Sequence, residues 1–383
     1  MSRAARKVAC AVSGGVDSTV AAYLLKQRGH EVTGVFMKNW DSQDDDAECS
    51  LDADLEDAHY VCKNLNIPFK VVNFVKPYWH HVFSTMLLEY QSGITPNPDI
   101  LCNKKIKFDA FYKYAMKDLR SDAIATGHYA RIAQLPNGDV RLLRGIDTQK
   151  DQTFFLSQVE QVPLQNVIFP VGELKKSEVK SIASGIGLEK FAKKRESTGI
   201  CFVGRTDFQV FINKYVEPQR GTFVDIDTGE VVGHHLGVHC WTLGQRCSIG
   251  GKKFPYYVAR MCPSTHTILV AAGTNHPALF CSTFHTSAPH WICDWPVRPG
   301  ESFTCLFKTQ HPEEVTPCTV DQDSDLTLHV RLPEPRRAIT PGQFAVFYSD
   351  EVCLGSAKIT KLGPSLQDDI SVGKINCRDT SLN

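Results

Sequence analysis

The chain has 383 residues, and its 42 basic and 42 acidic side chains cancel to a formal net charge of zero. That length exceeds one ordinary core, so two or three domains are expected; no apolar run reaches the roughly 18 residues of a membrane helix, and no secretory signal peptide opens the chain. Neutrality neither advertises a nucleic-acid partner nor excludes one, because local patches outweigh the sum.

From Lys7 to about Ala125 strand and helix patterns alternate. "KVACAV" reads as a strand, followed by the Gly14-Gly15 turn and a helix with apolar Val20, Ala21, Leu24 and Leu25, stopped at Gly29. "EVTGVFM" is a second strand, and "LDADLEDAHYVCKNL" a helix with acids in its first turn, where the dipole favours them. A strand "FKVVNFV", a helix "YWHHVFSTMLLEYQ" and a strand "DAIAT" follow. Such alternation predicts a Rossmann-like parallel sheet with helices on both faces. Its ligands belong beyond the strand C-termini, where Gly14, Gly15, Met37 and Gly127 fall. A basic helical stretch covers Lys175 to Arg195. After about Thr206 the texture changes to one helical segment, "DFQVFINKYV", and short runs split by turn residues. From about Ala278 regular short strands predict a small β-barrel. The expected division is 1–207, 208–277, 278–364 and a loose tail over 365–383.

The 14 cysteines fall short of a disulfide scaffold, and none forms a CxxC pair. Cys10 and Cys353 sit in apolar runs as buried free thiols would, which suits a reducing compartment. The His80-His81 and His234-His235 pairs read as core or surface residues, not ligands. The acidic run Asp41 to Glu48 reads as a solvated loop, and no resident metal is expected.

Glycines between a strand and a helix N-terminus present backbone N–H groups to phosphate oxygens. "SGGVDS", Ser13 to Ser18, does so without the lysine of a Walker loop and without the spacing of a dinucleotide motif. Downstream, "TPNPDILCNKKIKF" has a stiff X-Pro turn that leads to Asp99 and Cys102, just ahead of a helix expected from about Phe108. Near that helix start and beside Lys104 and Lys105, Cys102 is expected to be thiolate-prone, and Asp99 could trade protons with a substrate. In "ESTGICFVG", Cys201 follows a second basic stretch. Taken singly, each cysteine reads as core. Together they suit an enzyme that activates oxygen with ATP and displaces it with sulfur, one thiol carrying persulfide and the other resolving it.

"SGGVDS" resembles the pyrophosphate loop of enzymes that cleave ATP between its α- and β-phosphates. With "GVFMKNW", "TPNPDILCNKKIKF", "ATGHYAR", "KDQTFFLSQV", "GICFVG", "TLGQR" and "TPGQFAVFY", in that order from residue 8 to about 363, the chain resembles the tRNA-specific 2-thiouridylases. The likeness is nearest the mitochondrial branch, which acts as a tRNA-5-taurinomethyluridine 2-sulfurtransferase.

The resemblance implies ATP, taken with Mg2+, on Ala11, Val12, Ser13, Gly14, Gly15, Val16, Asp17 and Ser18, with Met37 and Gly127 on the adenine and ribose side. It implies that Asn97, Pro98 and Asp99 meet the target base, with Asp99 as acid–base residue. Cys201 would carry the persulfide, and Cys102 would form a transient disulfide with it. Lys150, Asp151 and Gln152 would contact tRNA, as would Gln310 and His311, which stand where bacterial relatives carry a basic pair. The implied partners are the anticodon stem-loop of tRNAs for Lys, Glu and Gln and a persulfide donor fed by a cysteine desulfurase or sulfur relay. The enzyme is expected as a monomer in the mitochondrial matrix. Two rivals are an amide-forming synthetase of the same loop class, which needs neither cysteine, and a non-catalytic tRNA-binding protein that keeps the nucleotide fold.

Overall fold

The computed structural model describes residues 5–41, 51–194, 207–293, 296, 298 and 300–368. Apolar runs of the kind expected form β1 (Lys7–Ala11), β2 (Glu31–Lys38) and β3 (Phe69–Asn73). With β4 (Ala123–Ala125) and β7 (Val167–Ile168) they make one parallel sheet of order β3-β2-β1-β4-β7. Helices α1 (Val16–Gln27) and α2 (Leu51–Asn64) cover it. The chain runs outward from β1 to β3 and then returns to β4 on the other side of β1, so the topological switch lies between β1 and β4.

Several boundaries differ from the sequence reading. The third strand stops at Asn73, whose Oδ1 accepts from Val75 N at 3.0 Å and turns the chain into a helix over 75–91. The next helix begins at Pro98, ten residues before the expected Phe108, and runs to Lys117 with a wide π-type stretch over Asn103–Ala110. Asn97 caps it by accepting from Ile100 N at 3.2 Å, and proline suits its first position. The basic stretch divides into Lys176–Gly185 and Glu189–Lys193 at Gly187, which has φ +76°.

The hairpin β5 (Ala130–Gln134) and β6 (Val140–Arg144) leaves the parallel sheet and pairs with the far end of the chain. A central sheet of β8 (Gly221–Asp225), β9 (Val231–His235), β10 (Arg246–Cys247), β11 (Tyr256–Cys262) and β12 (Thr267–Ala272) follows in the order β10-β11-β12-β8-β9. The last module contains β13 (Phe280–Thr286), β14 (His290–Trp291), β15 (Ser302–Lys308), β16 (Thr316–Gln322), β17 (Leu328–Arg337), β18 (Phe344–Ser349) and β19 (Val352–Leu362). Its order β13-β17-β16-β15-β18-β19 closes on itself through β13–β19 pairing, and β19 continues into β6 and β5. Residues 365–368 are tied down, not loose: Leu366 N donates to Phe280 O at 3.1 Å, and Asp368 pairs with Arg260 at 3.5 Å.

One apolar cluster joins Ile100, Ile106 and Phe111 to Phe344, Val346 and Tyr348, so the 98–117 helix packs directly on the barrel. Cys10 and Cys353 are buried free thiols, as expected, and burial holds both pKa values far above the ordinary thiol range.

Candidate active site

Ser13 to Gly15 cross from β1 to α1 at the switch point. The loop closes on itself through Ser18, whose Oγ accepts from Ser13 N at 3.1 Å and donates to Gly15 O at 3.0 Å. Thr19 Oγ1 also donates to Gly15 O, at 2.8 Å. Gly14 has φ +71°, and a Cβ there would lie 2.5 Å from the Asp54 carbonyl. A Cβ on Gly127, just past β4, would lie 2.7 Å from Ser18 N. The end of β4 is therefore pressed against the first turn of α1. Met37 sits on the other flank, near the end of β2.

No lysine comes from the loop itself, but distant elements bring two. Lys176 Nζ lies 2.7 and 2.8 Å from the Asp17 carboxylate, which also accepts from Tyr129 Oη at 2.7 Å. Lys194 Nζ donates to Gly14 O at 3.1 Å, Asp54 at 2.8 Å and Asp57 at 2.7 Å. Burial works against the Lys194 charge, yet the two carboxylates outweigh it and raise its pKa. Asp57 is likewise opposed by burial, but Lys190 and Lys194 bring its pKa down.

Beside Gly127, buried His128 links this loop to the 98–117 helix. Its Nδ1 is 2.7 Å from Thr126 Oγ1, and its Nε2 is 3.5 Å from Lys107 Nζ. Burial first, and then Lys107, push its pKa well below the ordinary value, so the ring is neutral and Nε2 faces the ammonium as acceptor. On the same helix burial raises the pKa of Asp99, and Lys107 partly offsets it. Cys102, one turn beyond Asp99, is buried at 6% exposure and lies inside the helix, not before it. Of the two lysines expected beside it, Lys104 is engaged with Gln158 at 2.8 Å, and Lys105 is exposed. Cys201 lies outside the described residues, as does most of the Asp41–Glu48 run.

The segment before this helix is held from both of the other parts of the molecule. Gln343 Nε2 donates to the carbonyls of Thr95 at 2.9 Å and Pro96 at 2.8 Å, while its Oε1 accepts from Asn97 Nδ2 at 3.1 Å. Thr95 N donates to Pro341 O at 3.2 Å, and Thr95 Oγ1 donates to Thr242 Oγ1 in the central module at 3.3 Å. Gly342, at φ +93°, leaves no space for a Cβ beside Ile94 and the Thr95 carbonyl.

The structure also brings Lys150-Asp151-Gln152 together with Gln310-His311. His311 Nε2 donates to Asp151 O at 2.7 Å, and its ring stacks on Phe155. The Asp151 carboxylate points inward: it accepts from Gly145 N and Thr153 N, each at 3.2 Å, and faces Arg144 and Lys308. Asp151 shapes the turn, and Gln152 also turns inward, its Oε1 accepting from Tyr129 N at 3.0 Å; Lys150 is half-buried. A cleft of about 330 Å³ lined by Arg144, Gln149, His311 and Glu313 opens beside it. Sequence reasoning missed Lys107, His128, Lys176, Lys194 and Gln343, although His128 and Gln343 each directly follow a motif glycine, Gly127 and Gly342, and Lys107 lies within "NKKIKF".

The glycine loop at the switch point, with converging lysines and a polar cleft toward the barrel, defines a nucleotide-binding α/β domain joined to two β modules. Residues 6–205 match the tRNA methyl transferase HUP domain family, 209–272 its PRC-barrel domain and 281–359 the aminomethyltransferase beta-barrel domain. The chain is 48% identical over 369 residues to "Mitochondrial tRNA-specific 2-thiouridylase 1" of Drosophila melanogaster, covering 94% of this chain and 95% of that one. The Homo sapiens protein of that name is 46% identical over 389 residues, covering 95% and 92%. The "tRNA-specific 2-thiouridylase MnmA" of Proteus mirabilis is 45% identical over 360 residues, covering 92% and 97%. The chain belongs to the tRNA-specific 2-thiouridylase family.

Proposed function

We propose that this chain is an ATP-dependent tRNA 2-thiouridylase acting on the wobble uridine, within mitochondria as the names of its relatives indicate. The observation that carries the reading is the union of two features across one helix. The pyrophosphate-type loop leads through Gly127, His128 and Lys107 to Asp99 and the pinned Asn97-Pro98 segment. The matched family description mentions methyl transfer, but methyl transfer needs neither a pyrophosphate loop nor paired cysteines.

In this reading Ala11 to Ser18 hold the ATP phosphates, with Met37 and Gly127 flanking the nucleoside. The C2 oxygen of the flipped uridine attacks the α-phosphorus, and pyrophosphate leaves. Asn97, Pro98 and Asp99 hold the base, Asp99 moving the proton. Asp17 is engaged by Lys176 and Tyr129. Magnesium is taken to enter with ATP as part of the substrate, and no step is assigned to it. The terminal sulfur of a Cys201 persulfide then attacks C2, either directly or as hydrosulfide set free when the Cys102 thiolate attacks the Cys201 sulfur. AMP leaves with the original oxygen. A Cys102–Cys201 disulfide remains, and a dithiol reductant must return it to two thiols before another turnover. Lys150 to Gln152 and Gln310-His311 line the proposed tRNA track. The tRNAs for Lys, Glu and Gln are the proposed targets, and a desulfurase-derived persulfide the proposed sulfur source.

Cys201→Ser and Cys102→Ser test the assignment. Both should lose repeated 2-thiouridine formation by mass spectrometry of tRNA nucleosides, while tRNA-dependent pyrophosphate release survives. Undiminished thiolation by Cys201→Ser would overturn it.

A further inference from the structure

The 98–117 helix borders another cleft, of about 480 Å³, on a different face from the one that carries Asp99 and Cys102. Leu101, Lys104 and Lys105, three and four residues apart, line it from the helix. Glu89 closes it from the helix over 75–91, and His290 and Lys358 close it from the barrel.

The charges around this cleft do not cancel. Glu89 is taken up by Lys358. Among the described residues neither Lys104 nor Lys105 makes an ion pair, so two cations stand in excess. Lys105 is exposed, and water serves it. Lys104 is half-buried: burial draws its pKa down, exposed Glu160 opposing and Lys105 adding to the effect.

The Lys104 ammonium is nonetheless held in the cleft wall. Gln158 Oε1 accepts from Lys104 Nζ at 2.8 Å. Gln158 is itself buried, and its Nε2 is fixed to Ser356 O at 2.9 Å and Ser356 Oγ at 3.0 Å. An ammonium has three protons, and Gln158 takes one. The donors left over, with Lys105 beside them, suit an anion that offers several oxygens, as a phosphate group does.

The cleft also adjoins the segment proposed to hold the base. Phe344 lines it, directly after the Gln343 that holds Thr95 to Asn97. Lys104 and Lys105 follow Asp99 in the same helix, about 8 Å further along its axis. RNA whose base is taken up at Asn97 to Asp99 brings its backbone into that range.

We propose that this cleft receives a backbone phosphate of the bound tRNA, with Lys104 and Lys105 as its cationic partners. This rests on the reading above that tRNA is the substrate.

The test is filter binding of an unmodified tRNA transcript to the whole protein, from about 50 to about 200 mM salt. Lys104→Met should weaken binding about tenfold at the low-salt end and reduce the slope of log Kd against log salt by about one. Lys105→Ala should weaken binding about threefold with a similar loss of slope, and Lys104→Arg, which keeps the cation, should hold the wild-type slope. A lysine that only steadies Gln158 would change affinity and leave the slope alone. Lys105 is exposed, so Lys105→Ala decides the question by itself if Lys104→Met does not fold. Unchanged slopes overturn the proposal. Inorganic phosphate that binds the wild type but not Lys104→Met by calorimetry, with the slopes unchanged, overturns it in favour of a site for the free anion. Failure of the wild type to bind tRNA sinks the tRNA reading itself, whereas unchanged slopes in the variants remove the cleft and leave that reading standing.

Discussion

The nucleotide loop closes through bonds that span three to five residues, Ser18 meeting Gly15 and Ser13. The Thr95–Asn97 segment is held by bonds that span 147 to 248 residues, from Thr242 and Gln343. The first therefore forms wherever a strand, two glycines and a helix occur in order. The second exists only once the parallel sheet, the central module and the barrel have assembled. The turn of the loop is thus built locally, although Lys176, Lys194 and Tyr129 reach it from afar, whereas the segment proposed to hold the base is placed by tertiary structure alone.

The sharpest test of that division is Gly14→Ala. A positive φ and a 2.5 Å approach to the Asp54 carbonyl force the loop or α2 to move. With about 1–3 kcal/mol of backbone strain plus the overlap, tRNA-dependent pyrophosphate release should fall at least about 100-fold. The 95–97 bonds to Gln343 should persist, with tRNA affinity by filter binding close to the wild type. Loss of tRNA binding in this variant would show that the two regions are not separable.

The converse is Gly342→Ala. Its φ of +93° and the crowding against Ile94 and Thr95 should displace the segment proposed to hold the base. Thiolation should fall about 10- to 100-fold for a comparable strain while KM for ATP stays within about twofold. A raised KM for ATP would break the contrast. Gln343→Ala removes three bonds without steric conflict, and at about 1 kcal/mol each it should cost roughly tenfold or more in kcat/KM for tRNA. Gln343→Glu keeps the acceptor for Asn97 but opposes two carbonyls, so it should be no better than alanine.

The same contrast explains what was legible in the sequence. "SGGVDS" after "KVACAV" could be read because the glycines, the hydroxyls and the helix they serve are neighbours. Two local signals were present but passed over. Asn97-Pro98 is a cap followed by a first-turn proline, and Pro136-Asn137-Gly138-Asp139 between alternating runs marks the β5–β6 hairpin. Pairing of that hairpin with β19 could not be read, because strand partners across 200 residues leave no local trace. Nor could the inward turn of Asp151, or the grip of Lys194 on Gly14. A basic run at the end of a helix looks the same whether it faces water or closes on a carbonyl.

The smallest effect concerns protons. Burial raises the pKa of Asp99, and Lys107 is the charge that opposes this. If Asp99 must be ionised to take the proton, thiolation should fail on the acid side at a pH above the ordinary carboxylate range. Removing an opposing cation favours the neutral acid, so Lys107→Met should move that limb to higher pH, and Asp99→Asn should abolish it with most of the rate. Lys107→Met also relieves His128, whose pKa it helps to hold down, but burial alone keeps that ring neutral. The limb should therefore move with one proton's slope. A shift toward lower pH, or a limb that survives in Asp99→Asn, would assign the titration to a group other than Asp99 and leave the pinned segment a binding surface alone.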